Sequence, residues 1–194
     1  MASLTLERLT DMVALRLGEF PDCRLTAPAD GQCSLGEMIE VGIEEAARYV
    51  TRSASLSDFS ESTDLTPFFA GVSPDVAGAS VTLTLPPDFC RLLSIRFPDW
   101  GVTLDEEHRG DRLRSELCET APEWLRHRSC RPWLRLTCGP GRARITCGPT
   151  TSTLPSEAGY VSLPSYDRAA RVLRQFDPAL TERLITHLIS QFPS

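Results

Sequence analysis

The chain has 194 residues, a formal net charge of −6 and a hydrophobic fraction of 41%. These values are ordinary for a globular protein and argue against a chain that is disordered throughout. The acidic balance argues against a general nucleic-acid binder. All 20 basic residues are arginine, and arginine pairs with carboxylates through two parallel hydrogen bonds, which suits protein interfaces.

The N-terminal residues 1–8 lack the basic and apolar regions of a signal peptide. No stretch approaches the roughly 20 apolar residues that cross a membrane. The seven cysteines are an odd number, which favours reduced thiols over a disulfide framework. We therefore expect a protein that is made in the cytoplasm and has no membrane span.

Helical patterns occupy both ends of the chain. Residues 4–17 place apolar side chains on one stripe. Ser34 with Glu37 forms a capping-box sequence, and the apolar face after it continues to Val50. Residues 51–79 then lose the pattern, being rich in Ser, Thr, Asp, Gly and Pro, and predict a long loop.

Phe68 and Phe69 interrupt that polar loop. Phenylalanines in such a segment indicate that it docks, either onto its own core or onto a neighbouring molecule. Ser80–Leu85 alternates apolar and polar residues and predicts a strand. Residues 89–97 fit either a strand or a single helical turn.

Residues 111–119 predict a short helix, and Thr120 with Glu123 forms a second capping-box sequence. Trp133–Cys147 gives the clearest strand pattern of the chain. Apolar residues alternate there with arginine and threonine on both sides of Gly139-Pro140-Gly141, which predicts a hairpin with one apolar and one arginine-bearing face.

Residues 150–164 predict a second loop. Apolar residues at 169–176 predict a helix, and Asp177-Pro178 begins another that continues to residue 192. The fold class is therefore α+β, with an N-terminal helix pair, a small antiparallel β element and C-terminal helices. We expect one structural domain over 1–194, helical at 1–52 and 165–194 and β-containing at 80–149.

Cysteines near the hairpin raise the question of a metal site. Cys130, Cys138 and Cys147 with His127 are spaced more widely than the close ligand pairs of structural zinc sites. Cys138 and Cys147 fall on the apolar face of the hairpin, where a thiol behaves as a small hydrophobic group. Core packing is the better explanation.

Catalytic motifs are absent from the sequence. Neither a P-loop, a G-x-G-x-x-G, a G-x-S-x-G nor an H-E-x-x-H occurs. The three histidines have no evident partner constellation for general-base catalysis. We expect no catalytic, metal-binding or cofactor-binding residues, and a protein that is not an enzyme.

Arginine is concentrated in one segment. Residues 109–147 contain nine arginines and four acidic residues, so the acidic excess lies elsewhere. Either a solvated face or an interface with an acidic surface explains this pattern. Tryptophan beside arginine is typical of interface hot spots. The candidate interface residues are Trp124, Arg126, Arg128, Arg131, Arg135, Arg142 and Arg144, together with Phe68 and Phe69.

The order of the sequence features resembles a known family. A helix rich in Glu and Ala is followed by a strand that ends in Leu-Pro-x-Asp-Phe, an apolar stretch, a Trp-Leu-Arg segment, a hairpin and a late Tyr-Val-Ser-Leu-Pro segment. The matching residues are Glu44–Tyr49, Leu85–Phe89, Arg91–Phe97 with Trp100, Trp124–Arg126 with Arg131-Pro132, and Tyr160–Pro164. Together they resemble the head-to-tail adaptor (neck or ring) proteins of tailed bacteriophages, particularly of gut Bacteroidales phages.

This resemblance implies a structural virion protein without cofactor or catalysis. It implies a homo-oligomeric connector ring at the head–tail junction, assembled in the host cytoplasm and docked on the portal protein or on adjacent neck or tail proteins. Genomic DNA would pass through its channel without sequence-specific binding. The chain departs from the family in its cysteine-rich hairpin and short C-terminal tail. The alternatives are a cytoplasmic thiol-dependent enzyme and a DNA-binding accessory protein.

Overall fold

A computed structural model describes residues 3–18, 34–107, 131–138 and 142–192. The chain divides into two compact units. The helical unit comprises Met1–Glu61 and Ser162–Ser194, and the β unit comprises Ser62–Val161. Helices and antiparallel sheets are both present, which confirms the α+β class. The two units are a finer division than the single structural domain expected from the sequence.

The described residues form four α-helices and ten strands. The helices are α1 (Leu6–Leu17), α2 (Leu35–Ser53), α3 (Thr66–Ala70) and α4 (Thr181–Ser190). The strands are β1 (Leu4–Thr5), β2 (Thr63–Asp64), β3 (Asp75–Ala77), β4 (Ser80–Thr84), β5 (Phe89–Arg96), β6 (Trp133–Cys138), β7 (Ala143–Gly148), β8 (Glu157–Ser162), β9 (Ser165–Asp167) and β10 (Val172–Arg174).

The helical unit is built around the apolar faces of α1, α2 and α4. Both predicted N-terminal helices are confirmed. The capping box of α2 is present, since the Ser34 side chain accepts from the Glu37 amide and the Glu37 carboxylate accepts from the Ser34 amide. Helix α1 ends at Leu17 and is capped by Gly18, whose φ of 80° suits a residue without a Cβ. The core of the helical unit includes Leu9, Val13, Ile39, Ile43, Leu184 and Leu188.

The predicted helix at 169–176 is wrong, because β9 and β10 form a hairpin there. The Asp167 carboxylate accepts hydrogen bonds from the amides of Ala169 and Ala170, both at 3.1 Å, which closes a turn. Arg171 follows with a φ of 53°. Strand β1 pairs with β10, completing a three-stranded sheet. Leu173 lies in a strand and is buried in the core of the helical unit. The apolar residues at 169–176 therefore have a spacing like that of a helix although they form a strand.

The β unit contains two sheets. One has the order β3-β4-β7-β6, and the other has the order β2-β8-β5. The predicted strand at 80–85 and the predicted hairpin are confirmed as β4 and as the pair β6–β7. The stretch 89–97 is a strand rather than a helical turn. The predicted helix at 111–119 and the second capping box lie outside the described residues.

The segments 51–79 and 150–164, expected to be loops, contain short regular elements. The first holds the end of α2, a 3₁₀ turn, β2, α3 and β3, and the second holds β8. Backbone pairing stabilises these pieces, as when the Leu65 amide donates to the Ala158 carbonyl at 2.8 Å. Such pairing depends on residues distant in sequence, so it cannot be predicted from a local composition rich in Ser, Thr and Pro.

One buried carboxylate joins distant segments of the helical unit. Asp177 accepts hydrogen bonds from the Ser60 amide at 2.7 Å, the Ser60 hydroxyl at 2.7 Å and the Glu61 amide at 3.0 Å. It also accepts from the Ala179 amide at 2.9 Å, as expected for the residue that caps the following turn. Burial by itself raises the pKa of Asp177, but the hydrogen bonds from Ser60, Ala179 and Glu61 outweigh it and lower the pKa.

Asp177→Asn should destabilise the protein at neutral pH by about 2 kcal/mol, because an amide cannot replace an ionised acceptor of four hydrogen bonds. Because the pKa of Asp177 is lower in the folded state, its ionised carboxylate stabilises the protein at pH values above the unfolded-state pKa of about 3.9. This contribution is lost as the pH falls through the folded-state pKa. Urea unfolding at pH 7 and near pH 3 measures both effects. Asp75→Asn, at an exposed position, is the control. Equal stability of D177N and wild type at pH 7 would contradict the prediction.

Candidate interface surface

The register of β6 with β7 determines which side chains of the hairpin reach solvent. Leu134 pairs with Cys147 and Leu136 with Ile145, whereas Arg135 pairs with Thr146. Successive side chains of a strand point to opposite faces. Leu134, Ile145 and Cys147 therefore enter the core of the β unit, and Arg135 is exposed on the opposite face.

Strand β4 extends this outward face. Thr82 pairs with Thr146 and Thr84 with Arg144. The hydroxyl oxygens of Thr82 and Thr146 lie 3.0 Å apart and share a hydrogen bond across the strands. We call the outward side of β4, β7 and β6 the arginine face. It presents Arg135, Arg144, Thr82, Thr84, Thr137 and Thr146.

The arginines of this region have no ionic partner among the residues that the structure describes. Arg135 and Arg144 on the arginine face are exposed, as are Arg131 and Arg142 at the ends of the two strands. The helical unit differs, because five of its arginines lie in ion pairs with its own carboxylates. These five are Arg16, Arg48, Arg171, Arg174 and Arg183. The hairpin arginines thus keep their guanidinium groups available to another molecule.

Trp133 is the exception on this side of β6. Alternation places it on the same side as Arg135, yet it is only 3% exposed. Its indole packs over Gly148, where an added Cβ would lie 3.1 Å from the Trp133 Cζ2 atom. The indole N–H has no hydrogen-bond partner among the described residues. Trp133 therefore supports the sheet and does not present its ring as a surface anchor.

Of the remaining candidate interface residues, the structure describes Phe68 and Phe69. Phe69 is 1% exposed, so it is a core residue of the β unit and not a surface residue. Phe68 is half-buried and packs against the same core. Docking onto its own core therefore explains this segment, since α3 carries both rings. Trp124, Arg126 and Arg128 lie outside the described residues.

Cys147 is fully buried in the core of the β unit, and this burial raises the pKa of its thiol. A cysteine nucleophile needs an accessible thiolate, so Cys147 is unsuited to that role. Cys90 is half-buried. Within the ranges that the structure describes, no cluster of His, Cys, Asp and Glu could hold a metal ion.

A groove of about 420 Å³ opens on the helical unit, lined in part by Arg16, Tyr49 and His187. The rings of Tyr49 and His187 stack with centroids 4.5 Å apart. The His187 Nε2 atom lies 3.1 Å from the side-chain Nε2 atom of Gln191, and no carboxylate of a described residue hydrogen-bonds to the imidazole. The groove therefore lacks the orienting carboxylate expected of a histidine general base.

No protein-family model matches the chain, and neither does any curated protein. None of the helices in the described ranges has both the length and the apolar character needed to cross a membrane.

Two consecutive residues of β7 test the division between core and arginine face. Ile145→Ala should destabilise the protein by about 2–4 kcal/mol, because Ile145 is fully buried and its truncation leaves a cavity. The neighbouring Arg144→Ala should change stability by about 0.5 kcal/mol or less, because Arg144 is exposed. Denaturant unfolding measures both. Similar losses from the two substitutions would show that the register is different.

Alkylation tests the accessibility of Cys147. Iodoacetamide at pH 8 should leave Cys147 unmodified in the folded protein, because its thiol is buried and its pKa is raised. The same reagent should modify it after unfolding in guanidinium. Peptide mass spectrometry measures both states, and rapid labelling of Cys147 in the native protein would contradict the assignment.

Proposed function

We propose that this chain is a structural virion protein that forms a head-to-tail connector ring below a phage portal. The observation that carries the proposal is the arginine face, with Arg135 and Arg144 exposed and free of ion pairs with described residues. A surface of this kind fits a partner that supplies carboxylates.

The charge distribution of the chain provides such a partner in another copy of itself. Residues 109–147 hold nine arginines and four acidic residues, whereas the rest of the chain holds 11 arginines and 22 acidic residues. In a ring each subunit contacts the next through two different surfaces, so opposite charges on one subunit favour closure. In self-assembly, the arginine-rich part of one copy can bind the acidic part of the next.

The elements behind the family resemblance also support the proposal. The Glu- and Ala-rich residues 44–49 lie within α2, and β4 ends directly before Leu85-Pro86-Pro87. The strand β5 then contains Arg91–Arg96, and Phe97 directly follows it, which is the next part of the resemblance. The proposed partners are the portal protein and adjacent neck or tail proteins. The proposed location is the head–tail junction of the virion, where DNA passes through without sequence-specific binding.

A DNA-binding accessory protein is the alternative that the arginine face also suits, because guanidinium groups bind phosphates. The two functions differ in how the arginines are used. A DNA-binding protein is retained on duplex DNA, and the retention falls steeply with salt as counterions are released. A connector subunit uses them on protein surfaces and has little affinity for bare duplex DNA.

Native mass measurement tests the proposed function. We expect the purified chain, alone or mixed with a phage portal protein, to form a closed high-order oligomer, because two complementary faces on each copy propagate the contact. Mass photometry gives the copy number, and electron microscopy of phage particles gives the location. A monomer or small discrete oligomer that never joins the portal or the particle would contradict the proposal. Salt-sensitive retention on DNA would favour the accessory protein.

A further inference from the structure

Helix α2 exposes apolar side chains on the side that faces away from its core. Val41 is 87% exposed, Tyr49 is 56% exposed and Met38 is 42% exposed. With Glu45 they follow a spacing of three or four residues, which places them along one side of the helix. We call Met38, Val41, Glu45 and Tyr49 the α2 face. An exposed apolar stripe with polar residues at its rim is typical of a protein contact surface.

The acidic residues of α2 differ in how they are used within the unit. Glu44 pairs with Arg48, and Glu40 accepts hydrogen bonds from Tyr166 at 3.1 Å and Arg171 at 3.4 Å. Glu37 belongs to the capping box. Glu45 is exposed and forms no ion pair with any residue that the structure describes. Its carboxylate lies between Val41 and Tyr49 on the α2 face and is available to a cation.

We propose that the α2 face of one copy binds the arginine face of the next copy. This inference rests on the proposed function and names the contact that would close the ring. Each face provides what the other lacks, because within the described ranges Glu45 has no cationic partner, and Arg135 and Arg144 have no carboxylate partner. One face of the Tyr49 ring stacks on His187, and an arginine beside Glu45 can stack on the other face, a favourable cation–π geometry.

The two faces are also complementary in form. The arginine face is the outward side of a sheet, with short threonine side chains around the arginines. Val41 and Met38 can pack against the threonine methyl groups and the aliphatic stems of the arginines, which bury well against apolar surface. A helix packed on the face of a sheet is a common layer arrangement. Because each copy carries both faces, the contact repeats from subunit to subunit.

Two variants that each remove one face provide the test. Val41→Arg with Glu45→Arg makes the α2 face cationic, and Arg135→Glu with Arg144→Glu makes the arginine face acidic. All four positions are exposed, so folding should be retained, which circular dichroism and thermal unfolding check. For each variant alone, the dissociation constant of self-association should rise at least about tenfold over wild type, because like charges meet at the contact.

Mixing the two variants separates this contact from a symmetric one. In the mixture, the intact α2 face of one variant meets the intact arginine face of the other, and the cationic and acidic replacement faces also attract each other. The two variants should therefore associate with each other, as heterodimers or as longer alternating oligomers. Analytical ultracentrifugation at high protein concentration and low salt measures this against the wild-type oligomer. Charge-matched controls are Val102→Arg with Glu157→Arg, and Arg96→Glu with Arg168→Glu, which alter exposed residues outside both faces. The controls should assemble as wild type does.

Several outcomes would overturn the inference. These are normal assembly of either face variant, a mixture that stays monomeric, and a wild-type chain that stays monomeric at these concentrations. If the face variants lose self-association but keep a salt-sensitive affinity for duplex DNA that wild type shares, the arginine face binds protein as proposed. If only the arginine-face variant changes, and the change is loss of DNA retention, the face binds nucleic acid instead.

The proposed function and this contact can fail separately. A ring found in virions that assembles normally with both face variants would keep the connector function and exclude this contact. Association of the mixed variants with each other, in a protein that never joins a portal or particle, would keep the contact and exclude the connector function.

Discussion

The surface of the β unit depends on one constraint, which is the pairing register of β6 with β7. Strand side chains alternate between faces, so a shift by a single residue would exchange every core side chain of the hairpin for an exposed one. The observed register buries Leu134, Ile145 and Cys147 and exposes Arg135 and Arg144. Burial of the apolar set fixes the register, and the register fixes where the arginines lie. The candidate interface is thus a consequence of core packing on the opposite side of the same strands.

Carboxylates that accept several hydrogen bonds organise the irregular segments of both units. In the helical unit Asp177 holds the chain at Ser60 and Glu61. In the β unit Asp99 accepts from the Thr150 hydroxyl at 2.8 Å and the Thr151 amide at 2.7 Å. Carboxylates used in this way are satisfied within their own unit, as are many arginines of the helical unit. Among the described residues, Glu45, Arg135 and Arg144 form no ion pair and are exposed, so they are available for recognition.

Local signals in the sequence predicted the parts of the fold whose physical cause is also local. The capping box at Ser34 and the alternation around Gly139-Pro140-Gly141 specified α2 and the hairpin, and with the hairpin the exposed positions of Arg135 and Arg144. Residues 169–176 were misread because a side-chain-capped turn after Asp167 overrides helical spacing. The sequence gives no signal for the short strand β2, and it leaves open whether Phe69 docks onto its own core or onto a neighbour. Both outcomes depend on contacts between distant residues that no local pattern records. The α2 face was missed too, since exposure of Val41 on an otherwise amphipathic helix appears only after packing is known.

In the proposed contact, the guanidinium groups of Arg135 and Arg144 bind the α2 face of a neighbouring copy of this chain. A cryo-electron microscopy map of the assembled oligomer, at a resolution that shows side chains, tests it most directly. We expect density from a neighbouring copy over β6 and β7, with a carboxylate within hydrogen-bond distance of Arg135 or Arg144. A map in which the outward side of these strands faces open solvent in every subunit would contradict it.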